Sequence, residues 1–320
     1  MATRYIRNTV ITLAIEATAG IDALPTGLAN AMLVSEMTID PLDAKDIPRN
    51  LVRGFFGGSE QLVGVASVKI GFTVELAGSG TAGTAPAYGP ALIACAMAEG
   101  SLTTPPRVEY SPVSTGLKTA TIYYYDDGVL HKAFGSMGNV AISAKAGERA
   151  TLKFDFVGLV GGETVAMTSG TYTAWKKPVA LTKANVIDVT IGATYLAGAL
   201  SGGTVYPSSG LELQLGNAVN FDALLSEETV DITDRDASGS VELKLTAAQE
   251  VAFMAIVRAN TTQSIGFTIG TIAGNKIMLF VPAAQLRKPK KVDRNGKRLI
   301  GFELGIVPVN GNDEVLLICL

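Results

Sequence analysis

Few side chains in this sequence have the type and spacing that catalysis needs. His131 is the single histidine, so a two-histidine metal site is excluded and a nucleophilic triad would have to use it. It stands between Leu130 and Lys132 in a strand-like stretch, with no serine or cysteine motif beside it. Cys95 and Cys319 are the only cysteines, too few for a disulfide framework and read as free thiols of a reducing compartment. Gly78-Ser79-Gly80-Thr81-Ala82-Gly83 has the form G-x-G-x-x-G. Pro86 and Pro90 intervene before the next helix and no parallel-strand pattern follows, so a plain loop is expected there and not a phosphate cradle. Asp126-Asp127 and Asp234-Arg235-Asp236 suit turns better than an acid/base pair. The sequon Asn260-Thr261-Thr262 has meaning only in a secreted chain. Catalytic residues, metal ligands and cofactor sites are therefore expected to be absent.

The densest charge feature is Arg287, Lys288, Lys290, Lys291, Arg294, Lys297 and Arg298. One reading is a solvated hairpin tip, turned by Asn295-Gly296. The other is contact with an acidic partner surface or with nucleic acid. No aromatic residues interleave the cluster for base stacking, which favours the hairpin. Pairing with Glu227, Glu228 and the acidic residues 231–236 of a neighbouring copy lies between the two. Over the 320 residues the net charge is −3, which argues against a dedicated nucleic-acid binder. Only 17% of residues are charged and 48% are hydrophobic, with a mean hydropathy of +0.31. So few charges poorly solvate a lone monomer, and assembly is expected.

The elements that carry these residues read as β throughout. Arg4 and Arg7 before the apolar residues 10–15, with Ala17-Thr18-Ala19 after them, imitate a signal peptide. Thr12 and Glu16 break the run, so residues 9–17 read as a first strand. No apolar run reaches membrane-spanning length. Residues 32–40 form a second strand, 41–64 a long connection, and 65–77 an alternating strand. Residues 89–100 read as a helix opened by Pro90 and stopped by Gly100. Strands are expected at 107–111, 118–126, 129–135, 139–144 and 149–157, with Asp126-Asp127-Gly128 as a hairpin turn. Residues 158–178, with the single Trp175, read as a boundary. A second series follows at 186–194, 210–215, a long connection 216–238, 240–245, 264–272, 276–281 and 298–309.

The clearest helix spans residues 246–260. Thr246 and Gln249 have capping-box spacing, and Asn260 suits a left-handed stop. Phe253, Met254, Ile256 and Val257 fall on one face; Ala248, Ala252, Ala255 and Ala259 fall on the other. A shift of 160 residues lays Ile93, Ala96 and Met97 on Phe253, Ile256 and Val257. Ala94 and Cys95 then belong to a matching small-residue face. Gly147-Glu148-Arg149 likewise has a counterpart in Gly296-Lys297-Arg298. The order strand, strand, long loop, strand, helix, strands occurs twice, so two domains are expected, 1–175 and 176–320.

Leu33-Val34-Ser35-Glu36-Met37-Thr38-Ile39-Asp40, the loop through Phe55-Phe56-Gly57-Gly58, then 65–76 and 91–99, resemble the tail tube (major tail) proteins of long-tailed, siphovirus-type bacteriophages. Related sandwiches occur in contractile tails and type VI secretion systems. The resemblance implies a mainly β chain with one short helix per domain. It implies tandem β-sandwich or partial-barrel tube domains that close into a β-barrel ring on oligomerisation. A tandem copy implies three subunits per ring where single-domain members use six. The implied partners are the chain itself, tape measure and tail terminator proteins, and DNA passing without sequence-specific binding. The implied place is the virion tail, assembled in the host bacterial cytoplasm, with no membrane insertion. A lumen for DNA should be polar without being basic. Glu36, Thr38, Glu212, Gln214 and Glu242 are the lumen candidates. Leu51, Val52, Phe55, Phe56, Leu224, Leu225, Glu227 and Glu228 are loop candidates for contact between rings or subunits. Ala94, Cys95, Ala252 and Ala255 are candidates for helix-face packing. Another phage tail, baseplate or surface adhesion sandwich is the alternative, with a β-scaffold hydrolase the remote third.

Overall fold

The computed structural model describes residues 3–320. Its first half contains β1 (Thr9–Ile15), β2 (Ala31–Met32), β3 (Ser35–Pro48), β4 (Gln61–Glu75), α1 (Gly89–Ile93) and β5 (Met97–Thr103). It continues with β6 (Pro106–Pro112), β7 (Ala120–Asp126), β8 (Val129–Lys145) and β9 (Thr151–Val165). The second half contains β10 (Val186–Leu196), β11 (Ala199–Val205), β12 (Ser208–Gln214), β13 (Asn217–Leu224), β14 (Glu227–Arg235) and β15 (Ser238–Leu243). α2 (Ala247–Arg258), β16 (Thr262–Ile269), β17 (Ile277–Arg294), β18 (Lys297–Ile306) and β19 (Leu316–Cys319) complete it. The molecule is mainly β, and its sheet is not closed into a barrel.

Eight strands form one antiparallel layer in the order β3-β4-β9-β8-β12-β15-β18-β17. The long strands β8 and β17 leave this layer at bulges and enter a second one. There β8 pairs with β7, which pairs with β1; β17 pairs with β16, which pairs with β10. β19 lies between β17 and β6 and ties the halves together. The pairing scheme is thus the same twice over. β3, β4, β9, β8 correspond to β12, β15, β18, β17, and β1, β7 correspond to β10, β16. The turn containing Gly147 joins β8 to β9, and the turn containing Gly296 joins the corresponding β17 to β18.

Alternation along the strands explains the layering. Ile70, Phe72 and Val74 of β4, and Leu152, Phe154 and Phe156 of β9, point inward and are 2% exposed or less. The three phenylalanine rings pack together with centroids 5.6–5.9 Å apart, contacts worth about 0.5–1.5 kcal/mol per pair beyond their buried area. Ile11 and Leu13 of β1, and Ile122 and Tyr124 of β7, close the same core from the opposite layer. The capping box of α2 forms as the sequence predicts. Thr246 N–H donates to Gln249 Oε1 at 2.9 Å, and Gln249 N–H donates to Thr246 Oγ1 at 3.3 Å. Asn260 has φ +54. Phe253 plugs the sandwich, edge-on to Tyr206 at 5.2 Å and beside Phe302 at 5.9 Å.

Several expectations are corrected. The helix expected over 89–100 is only Gly89–Ile93. Ala96 turns the chain with φ +58, and Met97–Thr103 pairs with β6. Here burial and strand pairing override the helix propensity of an alanine-rich run. The long connections 41–64 and 216–238 are largely β-hairpins, β3–β4 and β13–β14. Bulges and interleaved charges hide their period-2 pattern. β9 runs through part of the supposed boundary, while β5, β11 and β19 have no counterpart in the sequence reading.

Candidate functional site

The solvent face of the eight-stranded layer is built from the residues that alternate with the core. Register places Thr38, Gly71, Asp155 and Asn139 side by side across β3, β4, β9 and β8. It likewise places Ser143, Glu212, Ser240 and Glu303 side by side across β8, β12, β15 and β18. Glu36, Thr38, Glu212, Gln214 and Glu242 therefore share one face of one sheet. Its middle is a shallow hollow of about 500 Å³, lined by Glu36, Ser143, Lys153, Glu212, Gln214 and Ser240. The two glutamates sit in matching bonds: Thr73 Oγ1 donates to Glu36, and Ser240 Oγ donates to Glu212, each at 3.1 Å.

The lysines on this face are held by carboxylates. Lys145 reaches Glu212 at 2.7 Å, Lys153 reaches Asp155 at 3.5 Å, and Lys69 reaches Asp43 at 2.5 Å. The hydrogen bond from Lys145 holds Glu212 below the usual carboxylate range, and the same bond raises Lys145 above the usual lysine value. The face is polar and close to charge-balanced, which gives phosphates no cationic track to grip.

Two hairpins project from the layer at corresponding places. The β3–β4 tip, residues 49–60, carries Leu51 at 48% exposure, Phe55 at 69%, and the fully exposed Val52 and Phe56. The β13–β14 tip carries exposed Leu224, Leu225, Glu227 and Glu228. Its base is anchored inward by Arg235, which donates to Glu314 at 3.1 Å and to the Val113 carbonyl at 3.2 Å. Both tips thus leave apolar side chains that the chain itself does not cover.

On α2 the alanine face, with Ala252 and Ala255, is exposed, and Val251 beside it is 72% exposed. The matching pair in the first half is placed differently. Ala94 and Cys95 lie just beyond α1 and are fully buried. Their carbonyls accept hydrogen bonds from Gly138 N–H at 3.2 Å and Asn217 Nδ2 at 2.8 Å, so they meet the body of the chain itself. The basic cluster is the β17–β18 hairpin, turned by Asn295 (φ +53) and Gly296 (φ +76). Lys288 reaches Glu303 at 2.7 Å, Lys290 reaches it at 3.6 Å, and Lys291 pairs with Glu250.

The layer is polar on one face, and no further strand pairs with either of its edges among the described residues. The family model described as "Phage tail tube protein" matches residues 6–312. The chain belongs to the phage tail tube protein family. It is a structural component of the virion tail that assembles with itself into a tube. No curated protein matches the chain.

Against that membership the residues first singled out for chemistry have structural places. His131 lies in β8 opposite Tyr124, its side chain 18% exposed and Nδ1 3.9 Å from a Glu163 oxygen. The glycine motif is a turn braced on the 274–275 loop: Gly78 N–H donates to Asn275 Oδ1 and Gly80 N–H to the Gly274 carbonyl. Asp127-Gly128 is the two-residue turn between β7 and β8. Among the described residues, no cluster of metal-ligating side chains occurs and no helix is long and apolar enough to cross a membrane. Glu16, which in the sequence only ends an apolar run, is buried and fully hydrogen-bonded.

Proposed function

We propose that the chain polymerises as stacked rings of three copies, each copy contributing two tube domains, residues 1–175 and 176–320, to a pseudo-sixfold wall. The observation that carries this reading is the doubled pairing scheme: four strands of each half, in the same order, fused into one eight-stranded layer. Three such layers give a barrel of about 24 strands. At a spacing of ~4.8 Å and a tilt of ~40° its backbone diameter is roughly 45–50 Å, enough for a double helix once side chains are placed. The lumen is the face carrying Glu36, Thr38, Glu212, Gln214 and Glu242. DNA is delivered through it to the host without sequence-specific contact.

The apolar tips at Phe55, Phe56, Leu224 and Leu225, with Glu227 and Glu228, make the contacts between successive rings. In a siphovirus-type tail the tube would form around a tape measure protein in the host cytoplasm and be closed by a terminator protein. Electron microscopy of purified protein tests the proposal. Hollow rods whose cross-sections average with threefold symmetry are expected. A sixfold ring of six chains would overturn the stoichiometry, and absence of any ring or tube in protein or virions would overturn the whole reading.

A further inference from the structure

The eight-stranded layer ends in two open edges. Among the described residues β3 pairs with β4 alone. β17 pairs with β18, and beyond Gln285 it has no strand on its far side among the described residues. The edges are opposite in charge. β3 carries Glu36, Asp40, Asp43 and Asp46 against one Lys45. The free part of β17 carries Arg287, Lys288, Lys290, Lys291 and Arg294 against one Asp293. Each edge is also bent by a proline at a register shift: Pro41 lies between Asp40 and Asp43, and Pro289 between Arg287 and Lys290. Such bends and charges discourage pairing with any strand but the intended one.

Strand direction leaves the two edges compatible. Every neighbouring pair in the layer is antiparallel, and the number of strands is even, so β3 and β17 run in opposite directions. A second copy placed head to tail continues the alternation without a break, the heterologous contact that closes rings.

The chain contains its own template for that junction. By the doubled pairing scheme, β8 corresponds to β17 and β12 to β3, and β8 pairs with β12 inside the chain. The register can be carried across. Lys153 pairs with Ala141 and Thr73, as Glu303 pairs with Arg287 and Ser240. Thr151 pairs with Ser143 as Gly301 pairs with Lys290. Thr38 pairs with Gly71 as Gln214 pairs with Ser238, and Glu36 takes the bond from Thr73 that Glu212 takes from Ser240. Within the chain, Gln214 lies opposite Ala141 and Glu212 opposite Ser143.

We infer that β17 of one copy pairs antiparallel with β3 of the next in the β8–β12 register, setting Arg287 opposite Thr38 and Lys290 opposite Glu36. The inference rests on the ring reading above and names its interface. It also gives the basic cluster a partner: the acidic β3 edge of a second copy, in place of nucleic acid or residues 231–236.

The test is crosslinking of assembled tubes made from the double variant Thr38→Cys, Arg287→Cys. Opposite residues on paired strands have Cβ atoms about 4.5–5.5 Å apart, close enough for oxidation to join them. Cys95 and Cys319 are buried and stay silent. Oxidised tubes should give covalent dimers and a ladder ending at trimers in denaturing gels, and neither single variant should do so. Rings or tubes visible by microscopy but uncrosslinked would overturn the register while leaving the ring reading intact. Wild-type protein that forms no rings would sink both. A second arm uses charge: Lys290→Glu alone should lower tube yield by about tenfold, and adding Glu36→Lys should restore it. Equal yields from all three proteins would reject the Glu36–Lys290 pairing.

Discussion

Glu16 is 4% exposed, yet it forms no ion pair among the described residues. Its carboxylate accepts from Thr119 Oγ1 at 2.6 Å, Thr121 Oγ1 at 2.8 Å, and the Gly20 and Gly135 amides at 2.7 and 2.8 Å. Four neutral donors replace the water it gave up, and they tie the end of β1 to the strands beside it. Glu16→Ala removes the acceptor and strands all four donors. A loss of about 3 kcal/mol is expected from urea unfolding of unassembled protein, with Glu16→Gln costing less. The thiols are a second case where burial sets chemistry. Burial raises Cys95 well above the usual thiol value, and it pushes Cys319, beside Tyr88, up to about 12. Native protein at mildly alkaline pH should therefore leave a thiol-reactive dye unreacted, and unfolded protein should consume two equivalents. Rapid labelling of the folded chain at either site would contradict that burial.

At the scale of elements, α2 shows how two faces of a helix can have different fates. Phe253, Met254, Ile256 and Val257 meet the core, while Ala248, Ala252, Ala255 and Ala259 face solvent. An alanine face lets another backbone come close at little entropic cost, so we propose that it meets a neighbouring subunit. Ala252→Glu or Ala255→Glu should then leave the monomer's thermal unfolding within about 0.5 kcal/mol of wild type but reduce tube formation in sedimentation assays. Normal tubes from both variants would assign the face to solvent. The equivalent substitution at Ala94 should instead prevent folding, because that side chain has no free space around it. Alternation of large and small residues looks two-faced whether the small side meets a partner or, as at Ala94 and Cys95, the chain's own interior.

For the whole molecule, the β8–β12 junction fuses the halves into one layer, and its exposed face carries the Lys145–Glu212 pair. Glu212 has a lowered folded value. The contribution of the pair is therefore complete above the ordinary carboxylate value of 4.5 and is lost as pH falls through the lowered one. Lys145 has a raised folded value. On the alkaline side the contribution is complete below 10.5 and is lost as pH rises through the raised one. Glu303 follows Glu212 in direction, lowered first by its hydrogen bond from Lys288. Thermal unfolding from about pH 3 to about pH 7 should fall on the acid side in wild type and fall less in Glu212→Gln. At neutral pH the variant should lose no more than about 1 kcal/mol, since both side chains are about half exposed. Identical acid limbs would show that the pair does not act at the junction.

Much of the molecule was legible in its residues because local periodicity survives folding. Alternation along 240–243, the Thr246–Gln249 cap, the Asn260 stop and the glycine turns at Gly128 and Gly296 are short-range effects, and each stands where it was expected, with the strand ending at Leu243. The low charge fraction likewise pointed to assembly. What the tertiary structure alone decided is long-range. It turned two supposed loops into hairpins, cut the first helix short in favour of strand pairing, and brought Glu36, Thr38, Glu212, Gln214 and Glu242 onto one face. Register is set by partners far away in sequence, and a shift of a single residue would reverse the face of every side chain in a strand. For the same reason the sequence could suggest a doubled order of elements, while the pairings of β8 with β12 and of β6 with β19 showed how one half meets the other.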